Sequence, residues 1–140
     1  MENFKTAANA YKEVEVDASV LGANPYELVE KLLSMAINAI KAAKQHMLNG
    51  EVDVKGQQIK LATAIIADGL RGSLNLEEGG EIATNLNVLY EYMLERLMAA
   101  HAKNDPEMLD EVVTLLGQIK KGWEGIRPNQ NARSGLQSQV

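Results

Sequence analysis

The sequence predicts an all-α protein, an antiparallel up-down four-helix bundle with a short N-terminal capping helix. Two observations lead to this fold class. Four long segments carry apolar residues at spacings of three and four, the pattern of a helix with one buried face. No segment alternates with a period of two over a useful length, as a half-buried strand would. The 140 residues, 46% of them apolar, suffice for one domain with its own core.

The first two helices have clear sequence signals. Asn24 and Pro25 are typical of a helix N-cap and first helical position, and Asn49-Gly50 predicts the end of that helix. Its apolar seam comprises Tyr26, Val29, Leu33, Ala36, Ile40, Ala43 and Met47. The second helix is predicted from about Asp53 to Leu74, with Ile59, Ala62, Ile66 and Leu70 on one side.

The third helix is predicted from about Glu81 to Lys103, with the seam Ile82, Leu86, Leu89, Met93 and Leu97. The fourth runs from Pro106, which follows the N-cap residue Asp105, to about Ile126. Its seam comprises Leu109, Val112, Leu116, Ile119, Trp123 and Ile126. The predicted links are short, namely Leu48 to Val52, Asn75 to Gly80 and Asn104-Asp105, so consecutive helices should be antiparallel neighbours.

The pattern divides the chain into three parts. Residues 1–23 are predicted as a cap segment and linker, with a short helix near Glu2 to Lys12. Residues 24–127 form the helical bundle, and Pro128 stops its last helix. Residues 128–140 are rich in Asn, Gln and Ser and are predicted to be disordered.

Composition excludes several classes of function. The chain has 14 basic and 19 acidic residues, a formal charge of -5, which argues against a general nucleic-acid binder. It has no cysteine, which fits a reducing cytosol and excludes thiolate chemistry. The first ten residues show no secretory signal, and no stretch of 18 apolar residues occurs, so we expect a cytosolic protein without membrane insertion.

Catalytic and metal-binding motifs are also missing from the sequence. The two histidines, His46 and His101, are not preceded by glutamate at the spacing that carboxylate-bridged metal bundles use. Neither glycine-rich phosphate motif occurs. We therefore predict no enzyme, no cofactor and no metal site, and look instead for a binding surface.

The first two helices carry more apolar residues than one seam requires. On the first helix, Leu28, Leu32, Met35 and Ala39 flank the seam on one side and Ile37 on the other; the second has a further row of Leu61, Ile65, Gly69 and Gly72. A glycine within a helix removes side-chain bulk, so another chain can approach. Two interpretations stay open: tight packing within the protein, or a groove for an amphipathic helix or extended peptide.

Five segments of the chain carry motifs that occur together in one known family. The first, Asn9 to Ser19, reads NAYKEVEVDAS, and Ala23 to Val29 reads ANPYELV. The longest, Asp68 to Leu97, reads DGLRGSLNLEEGGEIATNLNVLYEYMLERL, and Leu109 to Leu116 and the GWEGI that ends at Ile126 follow it. In these segments, over nearly the whole predicted fold, the chain resembles the flagellar secretion chaperone family, the FliS-type flagellin chaperones.

The resemblance implies a cytosolic export chaperone with a helical bundle and an N-terminal cap. Such proteins bind the disordered C-terminal segment of flagellin, prevent its premature polymerisation and present it to the flagellar type III export gate. The resemblance also implies that the motif around Tyr11 contributes to cargo binding or to a removable cap.

From the apolar pattern we add Ile37, Ile65, Gly69 and Leu70 as candidate groove residues, with a place in the core as the competing assignment. The alternatives are a generic helix-binding adaptor, a self-associating structural bundle whose extra apolar stripes make a homodimer, and a small metalloenzyme. For the chaperone itself, a homodimer in the absence of cargo is a further possibility.

Overall fold

A computed structural model describes residues 25–125 of the chain. Within this range the chain forms four helices and no strand, which confirms the predicted all-α bundle. The elements are α1 (Pro25–Leu48), α2 (Val52–Ala64), a π-helical continuation of α2 (Ile65–Arg71), α3 (Leu76–Lys103) and α4 (Pro106–Gly125). The predicted N-terminal capping helix and C-terminal tail lie outside the described residues.

Contacts between helix ends show the antiparallel arrangement. The start of α1 meets the end of α4, and the start of α2 meets the end of α3. The contacts are the stacked rings of Tyr26 and Trp123 with centroids 5.1 Å apart, the Lys44–Asp110 ion pair at 3.0 Å, and the bond from Lys55 Nζ to the carbonyl of His101 at 3.2 Å. Because α1 packs against both α2 and α4, the helices follow one another around the bundle in chain order.

The core consists of aliphatic side chains from all four helices and of three aromatic ones, Tyr26, Tyr90 and Trp123. Tyr90 is the largest side chain with no exposed surface, and Trp123 closes one end of the bundle. Most of the predicted seam residues are buried, among them Val29, Leu33, Ala36, Ile40, Ala43, Ile59, Ala62, Ile66, Leu70, Leu109, Val112 and Leu116. Burial of this apolar surface is the main force that holds the four helices together.

The predicted seam of α3 is wrong in its first half. Ile82 and Leu89 are only half-buried, whereas Ala83 and Tyr90 are completely buried. The observed seam takes one residue every three or four positions through Gly79, Ala83, Leu86, Tyr90, Met93, Leu97 and Ala100. Small and aromatic residues occupy core positions here, so a seam chosen by aliphatic character alone shifts by one residue.

Two predicted helix boundaries are confirmed by their capping contacts. Asp105 Oδ1 accepts a hydrogen bond of 3.0 Å from the backbone N–H of Glu107, as an N-cap does. At the end of α1, Gly50 has φ +73°, the left-handed conformation that glycine adopts without a Cβ penalty. These caps keep the α1–α2 and α3–α4 connections short.

The predicted loop from Asn75 to Gly80 is instead the first turn of α3. Asn75 Oδ1 accepts a 3.0 Å hydrogen bond from the N–H of Glu78 and caps a helix that begins at Leu76. Gly80 then leaves helical geometry, with φ 59° and ψ −135°, and the helix resumes at Glu81, the predicted start. The cap and the glycine kink together produce one bent helix.

The second helix changes its winding at Ile65. From there to Arg71 the turns are π-helical, and the N–H of Gly72 donates to the carbonyl of Ala67 at 2.8 Å. In this widened turn, a Cβ on residue 72 would stand only 2.6 Å from the carbonyl oxygen of Asp68. A Cβ at this position therefore fits only if the backbone around it shifts.

Lys55 is the one buried charged residue among those described, with 3% of its surface exposed. Its ammonium group donates to the carbonyl of His101 and to the side-chain oxygen of Asn104. Since the C-terminus of a helix carries partial negative charge, a lysine there is favourable. Lys55 thus attaches the start of α2 to the end of α3.

Candidate functional site

Within residues 25–125, a concave surface lies between α1 and α4. It consists of two adjoining hollows of about 510 Å³ and about 680 Å³ that share Ser34, Asn38, Lys120 and Glu124. We call the two hollows together the α1–α4 groove. Both hollows are open at the surface, a shape that suits a peptide segment better than a small molecule.

The floor of the groove is apolar because of three residues that stand off the helix seams. Ile37 on α1 and Val113 on α4 are half-buried and line the larger hollow. Gly117 on α4 also lines the larger hollow, and a Cβ added to this glycine would have no atom within 4 Å. The missing side chain therefore leaves room in which an incoming side chain can rest.

Charged groups form the rim of the groove and differ between its two ends. The smaller hollow carries Glu27, Glu30 and Lys31. The larger one carries Lys41 and Lys121, while Lys120 and Glu124, 3.9 Å apart, line both. The larger hollow is therefore mainly basic.

Two contacts hold the walls of the groove together. Trp123 Nε1 donates a 3.0 Å hydrogen bond to the backbone carbonyl of Tyr26, beneath the stacked rings. Burial raises the pKa of the Tyr26 hydroxyl to about 12, so this side chain is neutral at physiological pH. At the other end, Lys44 pairs with Asp110.

The predicted site residues lie on different surfaces. Ile37 is in the α1–α4 groove. Gly69, in the π-helical part of α2, faces the other side of α1. A Cβ added to Gly69 would stand 3.4 Å from the side chain of Leu32. Ile65 is 7% exposed and Leu70 has no exposed surface. Tyr11 is outside the described residues.

Gly69 therefore packs against α1 in this structure, the first of the two interpretations that the sequence left open. The surface around that contact remains partly apolar. Leu61 on α2 is 45% exposed, and Met35 on α1, which also lines the smaller hollow of the α1–α4 groove, is 49% exposed. Ile65 and Gly69 border this α1–α2 surface, whereas Leu70 would have to leave the core to contact another protein.

The sequence reasoning missed the α4 side of the groove. Val113 and Gly117 were available as signals, since an apolar residue off the seam and a mid-helix glycine four positions later are unusual on a solvated face. Lys41 was also missed. Its relevance depends on α4 lying beside α1, which no local pattern reveals.

A separate cluster of polar side chains links α3 to α4. The Tyr92 hydroxyl donates to Glu111 Oε2 at 2.5 Å, and Arg96 Nε donates to Glu111 Oε1 at 2.6 Å. The hydrogen bond from Tyr92, followed by that from Arg96, lowers the pKa of Glu111. The cluster fixes the α3–α4 spacing on a face remote from the groove.

Among residues 25–125 no group of three or more metal-ligating side chains lies together. No helix in that range is both long enough and apolar enough to cross a membrane. The candidate site of the described part is therefore the open α1–α4 groove.

Comparison with known proteins agrees with the resemblance seen in the sequence. Residues 7–130 match the family model described as flagellar protein FliS. The chain is 41% identical over 119 residues to the flagellar secretion chaperone FliS of Salmonella typhimurium, covering 85% of this chain and 88% of that protein. It is 42% identical over 120 residues to the chaperone FliSB of Pseudomonas aeruginosa, covering 86% and 94%. Across 118 residues, 84% of this chain and 86% of that protein, it is 30% identical to FliS of Bacillus subtilis.

Proposed function

The chain belongs to the FliS family of flagellar secretion chaperones, a non-enzymatic family, and on that premise we propose that it binds the C-terminal segment of flagellin. In this proposal the segment is held in apolar surface grooves in the cytosol, before export. While held, it cannot pair with another flagellin. The complex is then delivered to the flagellar type III export gate.

The observation that supports this proposal in the structure is the α1–α4 groove, with Ile37, Val113 and Gly117 along its floor. A disordered segment loses about 1–2 kcal/mol of backbone conformational freedom per residue when it becomes ordered. Only a long apolar contact offsets such a loss. The groove, continued around α1 by the exposed apolar surface at Met35 and Leu61, supplies contact over two faces of the bundle.

Ile65 and Gly69 border the second of those faces and are proposed as cargo contacts there. Leu70, which is completely buried, is proposed to act from beneath by fixing the position of this helix. Tyr11 is proposed, on the family resemblance, as part of a segment that binds cargo or covers the groove before cargo arrives.

The test is a calorimetric titration of the full chain with the C-terminal segment of the flagellin from the same organism. We expect a saturable one-to-one complex with a negative heat-capacity change. Failure of the folded wild-type chain to bind would refute the flagellin assignment.

A matched pair of glycine variants tests whether the groove is the site. Gly117→Met should fill the larger hollow and weaken binding by about tenfold, since the lost apolar contact is worth about 1.4 kcal/mol or more. Gly122→Met is the control, because residue 122 also faces open space on α4 and lines neither hollow. Equal affinities of the two variants would exclude the groove as the binding surface.

A self-associating bundle is the second candidate, and exposed apolar side chains favour it. Met98 is 75% exposed and Met35 49% exposed. Light scattering of the chain alone and with the flagellin segment distinguishes the candidates. A chaperone should form a one-to-one complex whatever its resting state, whereas a structural bundle should self-associate and ignore the segment.

A further inference from the structure

The larger hollow of the α1–α4 groove has a charge opposite in sign to that of the protein. The whole chain has a formal charge of -5, yet the larger hollow is lined by Lys41, Lys120 and Lys121 and by a single carboxylate, Glu124. Glu124 Oε2 lies 3.9 Å from Lys120 Nζ, so this carboxylate forms an ion pair with Lys120. We call Lys41 and Lys121 the groove lysines.

The groove lysines have no acidic partner within residues 25–125. Neither Nζ atom lies within 4.0 Å of a carboxylate oxygen in that range, although nearby Lys44 is paired with Asp110. Each ammonium group is exposed at the edge of an apolar floor, and a negative group that approaches it gains a favourable interaction. The site therefore favours anionic groups.

The position of the lysines indicates what kind of anion fits. They lie on either side of a floor formed by Ile37, Val113 and Gly117, since Lys41 is on α1 and Lys121 on α4. A free phosphate or a nucleic acid would leave that apolar floor unused. A peptide with aliphatic residues on one face and carboxylates along its flanks uses both features.

We infer that the groove lysines recognise acidic side chains that flank the apolar face of the bound segment. This inference rests on the proposed function, because it specifies the chemistry of the segment which that groove takes. The lysines then set the position of the segment along the groove and speed its association, while the apolar floor supplies most of the affinity.

The test replaces both groove lysines, as Lys41→Gln with Lys121→Gln, in the full chain. The control carries Lys60→Gln with Lys103→Gln, which removes the same charge from exposed positions on α2 and α3. Each protein is titrated with the flagellin C-terminal segment, and with the same segment in which every Asp and Glu near its apolar stretch is changed to Asn or Gln.

At about 0.1 M salt we expect the groove-lysine variant to bind about fivefold to tenfold more weakly, and the control within twofold of wild type. At about 1 M salt, where the Debye length falls to about 3 Å, the difference should nearly disappear. The neutralised segment should bind both variants alike, since the groove lysines then have nothing to recognise.

Three results overturn the inference. If the groove-lysine variant binds like the control, the lysines do not contact the segment, although the proposed function stands. If it binds more tightly than wild type, the lysines hold an acidic stretch of this chain, such as Glu13 to Asp17, which cargo displaces. If wild type binds no flagellin segment at all, the proposed function fails and the inference with it.

Discussion

Replacing Gly72 by alanine should destabilise the protein, although alanine normally stabilises a helical backbone. Gly72 has φ −63°, which any residue adopts, so its backbone conformation does not require glycine. The restriction is spatial. A Cβ at this position would stand 2.6 Å from the carbonyl oxygen of Asp68 and 3.1 Å from that of Ala67.

The magnitude follows from two opposing effects. Alanine reduces the conformational freedom of the unfolded chain, which stabilises by about 0.4–1 kcal/mol. The clash involves backbone atoms that cannot rotate away, and forced shifts in a packed structure cost about 1–3 kcal/mol. We expect the free energy of unfolding to fall by about 1–2 kcal/mol, and the melting temperature of a chain this size to fall by about 3–10 °C.

Gly117→Ala is the matched control. It lies within α4 and faces open space, so only the favourable effect of alanine operates there, about 0.5–1 kcal/mol. Urea unfolding followed by circular dichroism measures both variants. A Gly72→Ala protein as stable as wild type, with Gly117→Ala stabilised as expected, would show that the π-helical turn relaxes freely and that the spatial argument is incorrect.

Two further predictions concern polar contacts between helices. Lys55→Met should lower the free energy of unfolding by about 1–3 kcal/mol, because the His101 carbonyl and the Asn104 side chain lose a buried donor. The control Lys60→Met, at an exposed position, should change the free energy of unfolding by less than about 0.5 kcal/mol. Equal losses for the two variants in denaturant unfolding would contradict the role of Lys55. Glu111→Gln should be less stable than wild type at neutral pH, with a difference that shrinks below about pH 4.5. The sign follows because hydrogen bonds from Tyr92 and Arg96 lower the pKa of the folded carboxylate, so its contribution is present above the unfolded value of 4.5 and is lost as the pH falls through the folded value. Unfolding curves across the acid range measure this, and a difference independent of pH would refute it.

The four helices could be predicted because their signals are local. Apolar spacing, proline at first helical positions and glycine at a helix end each act within a few residues. Asp105 and Gly50 do in the structure what their sequence context predicts. The prediction failed at Asn75 to Gly80, where a side-chain cap begins the helix a turn before the glycine.

The spacing of the buried residues around the π-helical segment differs from that of the other helices. Ala62, Ile66, Leu70 and Leu74 follow one another at intervals of four, with Ile59 and Ile65 buried beside them. A regular α-helix has 3.6 residues per turn, so a repeat of four drifts around it. The looser turns from Ile65 to Arg71 offset part of that drift.

The groove could not be predicted beyond Ile37, because its other wall is distant in sequence. Residues 37 and 113 come together only after α4 has folded back against α1. The same holds for the environment of Gly69, where the approaching group turned out to be Leu32 of the same chain. The sequence periodicity identifies which apolar residues lie outside the seam of a helix. Which residues they contact depends on how the helices pack.

The groove lies between the two neighbouring helices that no loop connects. The chain turns tightly from α1 to α2, from α2 to α3 and from α3 to α4, but α1 and α4 are joined only by non-covalent contacts. The Tyr26–Trp123 stack closes the groove at one end and the Lys44–Asp110 pair at the other, in addition to the core residues that both helices bury. Because no loop ties α1 to α4, a change in the angle between these two helices would widen or narrow the groove without straining any backbone turn.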